Sequence, residues 1–316
     1  MKTIPGHIPN YKLFSKDALK KLTKGNPEIL CQLLPQDHRL HLQHGPIDII
    51  ARVEAPEEVR ERLYSSATSR LGTVLDELVA ELDLLKQPWS IGQPVPSGSI
   101  AQKMFSAVKG SEVFVTPMAA VAGAVAEEIL EAMLAEAKAH DCRIDQVRRM
   151  YVNNGGDIAF WLKDGESFSI GVVENPEMPQ LNTIVSLPSE CPVRGLATSG
   201  WRGRSQSMGI ADAVTVLAKS AVAADVAATL IANDVNVNYP GIVKRPACEI
   251  KDEIDLGMIP VTVHVPQLPE KEASNALKQG AQTAKHFIRS GTIEAAYLSL
   301  QQHTLVIENM EESSNE

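Results

Sequence analysis

Three short stretches of this chain concentrate side chains suited to binding anions and hard cations. The first, YVNNGGDIAF at 151–160, sets Asn153, Asn154, Gly155, Gly156 and Asp157 in a row. Paired glycines reach backbone torsions closed to other residues and let a ligand come close to exposed N–H groups, while Asp157 supplies an acceptor or a cation-seeking charge. The same residues also suit a bulged turn between two strands, with the asparagine and aspartate side chains bonding their own backbone. The second, GLATSGWRGRSQSMGIADAV at 195–214, offers hydroxyls at Thr198, Ser199, Ser205 and Ser207, guanidinium groups at Arg202 and Arg204, and a glycine at Gly200. That mixture can clamp a phosphate or carboxylate; it can equally be a solvated hairpin with incidental arginines. The third, AVAADVAATLIAND, spaces Asp225, Thr229 and Asn233 at intervals of four, on one helical face. A carboxylate and a hydroxyl one turn apart can hold Mg²⁺, whose shell water and substrate phosphate complete, although a polar stripe facing solvent has the same spacing. Asp157 and Asp212 are the acid–base candidates for chemistry on a bound anion.

The elements that must position these residues follow from periodicity. A strand pair is expected around Gly45-Pro46, then a helix from Pro56 to about residue 86, with Val59, Leu63, Ala67, Leu71, Leu75, Leu78, Leu82 and Leu85 on one stripe. KQPWSIGQPVPSGSIA reads as a long ordered loop, followed by a short helix over 101–109. The helix over 118–139 opens with Met118, Ala119, Ala120, Ala122, Gly123 and Ala126, small enough for a ligand or a neighbouring backbone to approach; its N-terminus near Met118 adds partial positive charge. From Arg148 the period becomes two, and RRMYVNN, DIAFWL, FSIGVV, NTIVSL and GLATSG read as an antiparallel meander with a turn at Asp164-Gly165. A strand at DAVTVLAK, an alanine-rich helix over 221–233, a strand at IPVTVHV, a helix over 270–290 and a strand at HTLVIEN complete the pattern. The expected fold class is α+β: one domain over 39–309, an antiparallel sheet with alanine-rich helices on it. An N-terminal extension over 1–38 and a disordered tail over 310–316 flank it.

Composition limits what this domain can serve. A formal net charge of −9 argues against a nucleic-acid surface, so an anion site must be local. The most apolar run, MAAVAGAVAEEILEAM, is broken by Glu127 and Glu128, and the first residues carry no signal-like apolar core, so a cytoplasmic protein with no membrane partner is expected. Cys31, Cys142, Cys191 and Cys248 lie far apart without a CxxC pair. Open sheet edges and small-residue helix faces make a homo-oligomer the expected state.

Taken in order, NNGGDI, GESFSIGVVENP, ATSG and VTVLAKSAVAADVAAT resemble the ApbE family, flavin transferases that move FMN from FAD onto a protein threonine with a magnesium ion. The resemblance covers roughly residues 110–235. It implies an ApbE-like fold, with Asp225 and Thr229 matching the family's magnesium ligands. It also implies that Asn154 to Asp157 and Thr198 to Gly200 match its flavin-nucleotide site, with FAD or FMN as the bound cofactor. Family members carry a histidine-containing segment ending in aspartate-proline after the threonine-serine-glycine turn. Here that span, WRGRSQSMGIADAV, has neither histidine nor proline, and Ala122-Gly123 stands where they have lysine-glycine. MAAVAGAVAE and AATLIANDVNV are closer to a cytoplasmic offshoot, the uncharacterised protein family 0280. The resemblance therefore leaves three readings: a flavin transferase, an enzyme acting on another small anionic metabolite, and a flavin carrier or assembly protein.

Overall fold

The computed structural model describes residues 28–34, 37–139, 143–173, 181–203, 205–251 and 255–308. The tail, Arg204 and most of the N-terminal extension lie outside the described residues. The last part of that extension is nonetheless strand. β1 (Ile29–Leu34) pairs antiparallel with β2 (Arg39–His44), and Ile29 and Cys31 are buried in the core.

Alternating burial along β2, β3 (Ile47–Glu54) and β4 (Arg149–Asn154) gives the sheet one face turned to helices, while β5 (Asp157–Leu162) is buried on both faces, at Ala159 and at Phe160. β8 (Gly195–Ser199), β9 (Ala213–Ala218), β12 (Ala295–Leu300) and β13 (His303–Glu308) extend it to nine strands in the order β1-β2-β3-β4-β5-β8-β9-β12-β13. Every neighbouring pair is antiparallel. The meander expectation is corrected here. β6 (Ser167–Val173) and β7 (Leu181–Pro188) leave the sheet as a separate hairpin, so β5 pairs with β8, and the Asp164-Gly165 turn joins strands of two different sheets. Phe168 of β6 meets Phe160 edge-on at 5.6 Å and Tyr151 at 6.0 Å, which covers the side of β4–β5 away from the helices. β10 (Val243–Pro246) and β11 (Pro260–His264) form a second hairpin.

The helix layer runs α1 (Glu57–Ala80), α2 (Leu82–Leu85), α3 (Ser99–Val108), α4 (Val121–Ala139), α5 (Ala221–Asp234) and α6 (Glu270–Arg289). The single helix expected over 56–86 is broken at Glu81, whose φ of −118° and ψ of 14° leave the helical region. With the helix interrupted there, the Glu81 carboxylate accepts the N–H groups of Ser97 and Gly98 at 2.7 Å each and closes the start of α3. Helices α1, α4, α5 and α6 touch in that sequence across the sheet. Helix α5 is buried on most sides, with Ala221, Val222 and Val226 in the core beneath α1 and α4, and Ala224, Ala227 and Ala228 in the core beneath α6. Small residues are what let one helix serve both. Among the described residues no helix is long and apolar enough to cross a membrane.

Candidate functional site

The β4–β5 turn brings the first stretch to the helix face of the sheet. Asn154 and Asp157 are register partners, and Gly155 and Gly156 bridge them with φ of +68° and +118°, the left-handed torsions a two-residue hairpin of this kind requires. Asn153 accepts the Gly156 N–H at 2.9 Å and so braces the turn from the other face. Asn154 and Asp157 are each only 9% exposed. The Asn154 amide donates to the Ala122 carbonyl at 3.2 Å, which ties the turn to the first turn of α4.

Asp225 stands on α5 against the same place. Its carboxylate accepts the Gly123 N–H at 2.9 Å and also bonds the Ala122 N–H, two of the four donors that the start of any helix leaves without an internal partner. This contact explains Gly123: a Cβ there would stand 2.4 Å from the Ala221 carbonyl oxygen and 3.0 Å from the Asp225 Cβ. The capping is reciprocal. Glu127 of α4 accepts the Val222 N–H at 3.2 Å at the start of α5, where Ser220 also accepts the Ala223 N–H. Burial holds the Glu127 carboxyl above its ordinary range.

Asp157 and Asp225 face each other electrostatically. Burial first, and the Asp225 charge second, push the Asp157 carboxyl well above the ordinary carboxylate range, with the Thr198 N–H pulling the other way. Burial pushes Asp225 up to about 7 in spite of its two backbone donors. Asp157 Oδ1 is buried and has no hydrogen-bond partner among the described residues. Such an orphan acceptor beside a second carboxylate needs either a shared proton or a cation. Thr229, partly buried one helical turn beyond Asp225, adds a hydroxyl on the same face, so the donor set is all hard oxygen and suits Mg²⁺. Among the described residues no group of three or more histidine, cysteine, aspartate or glutamate side chains is placed to hold a metal, so water and ligand oxygens would have to complete its shell.

The second stretch meets this pair through β8. Thr198 donates its N–H to Asp157 and shares a 2.9 Å hydroxyl contact with Thr215, while Ser199 is buried. Gly200 lies where a Cβ would stand 2.5 Å from the Asp212 carbonyl oxygen, so the chain turns sharply out of the sheet there. Asp212 accepts three hydrogen bonds: from Trp201 Nε1 at 3.1 Å, Arg202 Nε at 2.6 Å and the Gln301 N–H at 2.6 Å. Arg202 also covers the Trp201 ring at 4.6 Å. Asp212 thus organises the loop that carries Arg202. Met118 sits partly buried in the short 3₁₀ turn Pro117–Ala120 that leads into α4, packed against the core. Asn233, the third member of the helical stripe, accepts the Met208 N–H at 2.9 Å and the Ser207 hydroxyl at 3.2 Å, away from the carboxylate pair. The backbone donors of Ala122, the Glu127 cap and the Trp201–Arg202 stack were not legible as site features, because an alanine's N–H carries no side-chain signal and a cap between helices has no fixed spacing.

The family described as AbpE bacteria matches residues 31–311. The UPF0280 protein MK0206 of Methanopyrus kandleri is 31% identical over 222 residues, which span 68% of this chain and 82% of that protein. The solved structure of the ApbE protein from Thermotoga maritima aligns over 81% of this chain and 77% of its own, with 14% identity and a TM-score of 0.36. The apo structure of the Pseudomonas stutzeri flavinyl transferase ApbE aligns over 82% of this chain and 75% of its own, with 16% identity and a TM-score of 0.32.

Proposed function

The chain belongs to the AbpE bacteria family, in the ApbE-like branch it shares with the UPF0280 proteins, and from that premise we propose that it binds a flavin nucleotide at the Asp157–Asp225 pair and processes FAD. The observation that carries the reading is Asp157 Oδ1, a buried oxygen without a partner beside a second carboxylate. Asp225, Thr229 and that oxygen would hold Mg²⁺, which when bound neutralises pyrophosphate charge and favours its cleavage. The chain's own residues do the rest. Gly155 and Gly156 keep the turn free of side chains beside the pair, so a phosphate group can approach the backbone. Thr198 gives its backbone N–H to Asp157, while its exposed side chain bonds Thr215 on the other face of β8. Arg202 gives Nε to Asp212 and keeps further N–H groups for an anion. Asp157, whose carboxyl is the more strongly raised, is the group that holds a proton when no cation is present.

The test is to incubate the protein with FAD, Mg²⁺ and a threonine-bearing acceptor peptide and to measure AMP release and peptide mass. We expect release that depends on Mg²⁺ and is lost in Asp225→Ala while its circular dichroism stays native. FAD left intact under these conditions removes the transferase reading. A second reading has an observation of its own: one face of Trp201 is covered by Arg202, and residues 201–214 hold no histidine. This favours a smaller anionic metabolite at the same carboxylate pair, or a flavin carrier that retains its ligand without product. Mass spectrometry of the denatured extract separates these two outcomes. On the same reading the protein is a homo-oligomer joined at β1 or β13, the edge strands of the sheet among the described residues, and light scattering that gives a monomer at every concentration removes that part.

A further inference from the structure

Beyond the C-terminal end of α5 the chain loops through Asn236–Ile242 into β10 and borders an open cavity of about 520 Å³, which Gln279 of α6 also lines. Its polar lining is Asn236, Asn238, Tyr239, Lys244 and Gln279, with Ile242 as an apolar wall. Lys244 Nζ donates to the Met208 carbonyl at 2.6 Å, and Asn236 Nδ2 reaches the same oxygen at 3.4 Å. An ammonium has three donor hydrogens, so two remain for the cavity. Burial alone moves the Lys244 pKa, downward, and among the described residues no carboxylate forms an ion pair with it. The side chains of Asn238, Tyr239 and Gln279 make no hydrogen bond to the described residues, so their donors and acceptors are open to a ligand. A half-buried cation without a counter-charge among the described residues, which shares an open cavity of ligand size with exposed amides and a phenol, lacks one thing: an anion.

We propose that this cavity is a second binding site, for a small molecule bearing a carboxylate or phosphate, with the anionic group on Lys244 and the polar remainder on Asn238, Tyr239 and Gln279. The site is separate from the Asp157–Asp225 pair, and its ligand need not be a flavin. Its nearest link to that pair is the Ser207–Gly209 segment, which Lys244 holds at Met208 and which Asn233 holds from α5.

The test is isothermal titration of the full chain with inorganic phosphate and, separately, with succinate, in a chloride buffer free of flavin and metal. The expected result is one saturable site per chain for at least one probe, and which probe binds tells phosphate recognition from carboxylate recognition. Affinity should fall roughly tenfold or more in Lys244→Met, the loss of a charge-assisted hydrogen bond. It should fall several-fold in Asn238→Leu. Absence of saturable binding of both probes at millimolar concentration overturns the proposal, as does binding that both variants leave unchanged. Should Lys244→Met fail to fold because Met208 loses its donor, Asn238→Leu decides alone, since its side chain bonds no described residue. Because no flavin is present, failure here is distinguishable from failure of the flavin reading.

Discussion

Asp157 answers two opposed demands. Next to Asp225 its charge is costly, yet its unpartnered oxygen is the feature most suited to a cation. In the metal-free protein Asp157→Asn should therefore raise the melting temperature, because the buried carboxyl must take up a proton to sit beside Asp225 and the isosteric amide is neutral without one. It should also weaken stabilisation by Mg²⁺; differential scanning fluorimetry with and without MgCl₂ reads both. The pH dependence follows from Asp225, whose carboxyl lies at about 7 when folded and about 3.9 when unfolded. The folded state holds that proton more tightly, so the contribution to stability is full below the unfolded value and is lost as pH rises through about 7. Metal-free urea midpoints should fall over this window, and saturating Mg²⁺ should flatten the fall; a midpoint that rises throughout would refute the pairing. Residue type and spacing made Asp157, Asp212, Asp225 and Thr229 candidates in the sequence. The three bonds that Asp212 accepts were not legible, because they join it to Trp201 and Arg202 in a loop and to Gln301 in a strand turn 89 residues away.

Helices α4 and α5 hold each other by their ends. Gly123→Ala places a methyl 2.4 Å from the Ala221 carbonyl oxygen, and backbone on backbone cannot yield cheaply. The overpacking outweighs alanine's better helix propensity and should cost about 2 kcal/mol net, measured by urea unfolding, with Mg²⁺ binding weakened too because Asp225 is displaced. Glu127→Ala leaves the first N–H groups of α5 without their acceptor and should cost about 1 kcal/mol, while Glu127→Gln recovers most of it. At this scale the helices and most strands were visible as periods of 3.6 and two. Their partners were not. Alternation in FSIGVV and NTIVSL marks strands but says nothing about which strand lies alongside, so the β6–β7 hairpin read as part of a meander. Likewise Leu82 and Leu85 keep the stripe in phase across Glu81, where the helix stops.

Of the three apolar clusters among the described residues, the two larger ones share one helix. Because α5 gives Val222 and Val226 to one and Ala224, Ala227 and Ala228 to the other, neither half keeps its core without it. Calorimetry should show one transition, with calorimetric and van't Hoff enthalpies equal. Two resolved peaks would mean that the halves fold apart. The α+β class was legible because the switch from helical to alternating pattern at Arg148 is sharp. The edge position of β1 was not, since ILCQLL is short and follows a stretch without periodicity.

The crossed caps also tie together the rates at which the two helix ends trade protons with solvent. The Gly123 amide is shielded by Asp225 and the Val222 amide by Glu127, so parting of α4 from α5 uncovers both at once. In deuterium these two amides, 99 positions apart in the chain, should exchange at a common rate that reports that single opening. A ligand that draws Asp225 away would then leave its mark at Val222, in a helix start it never touches.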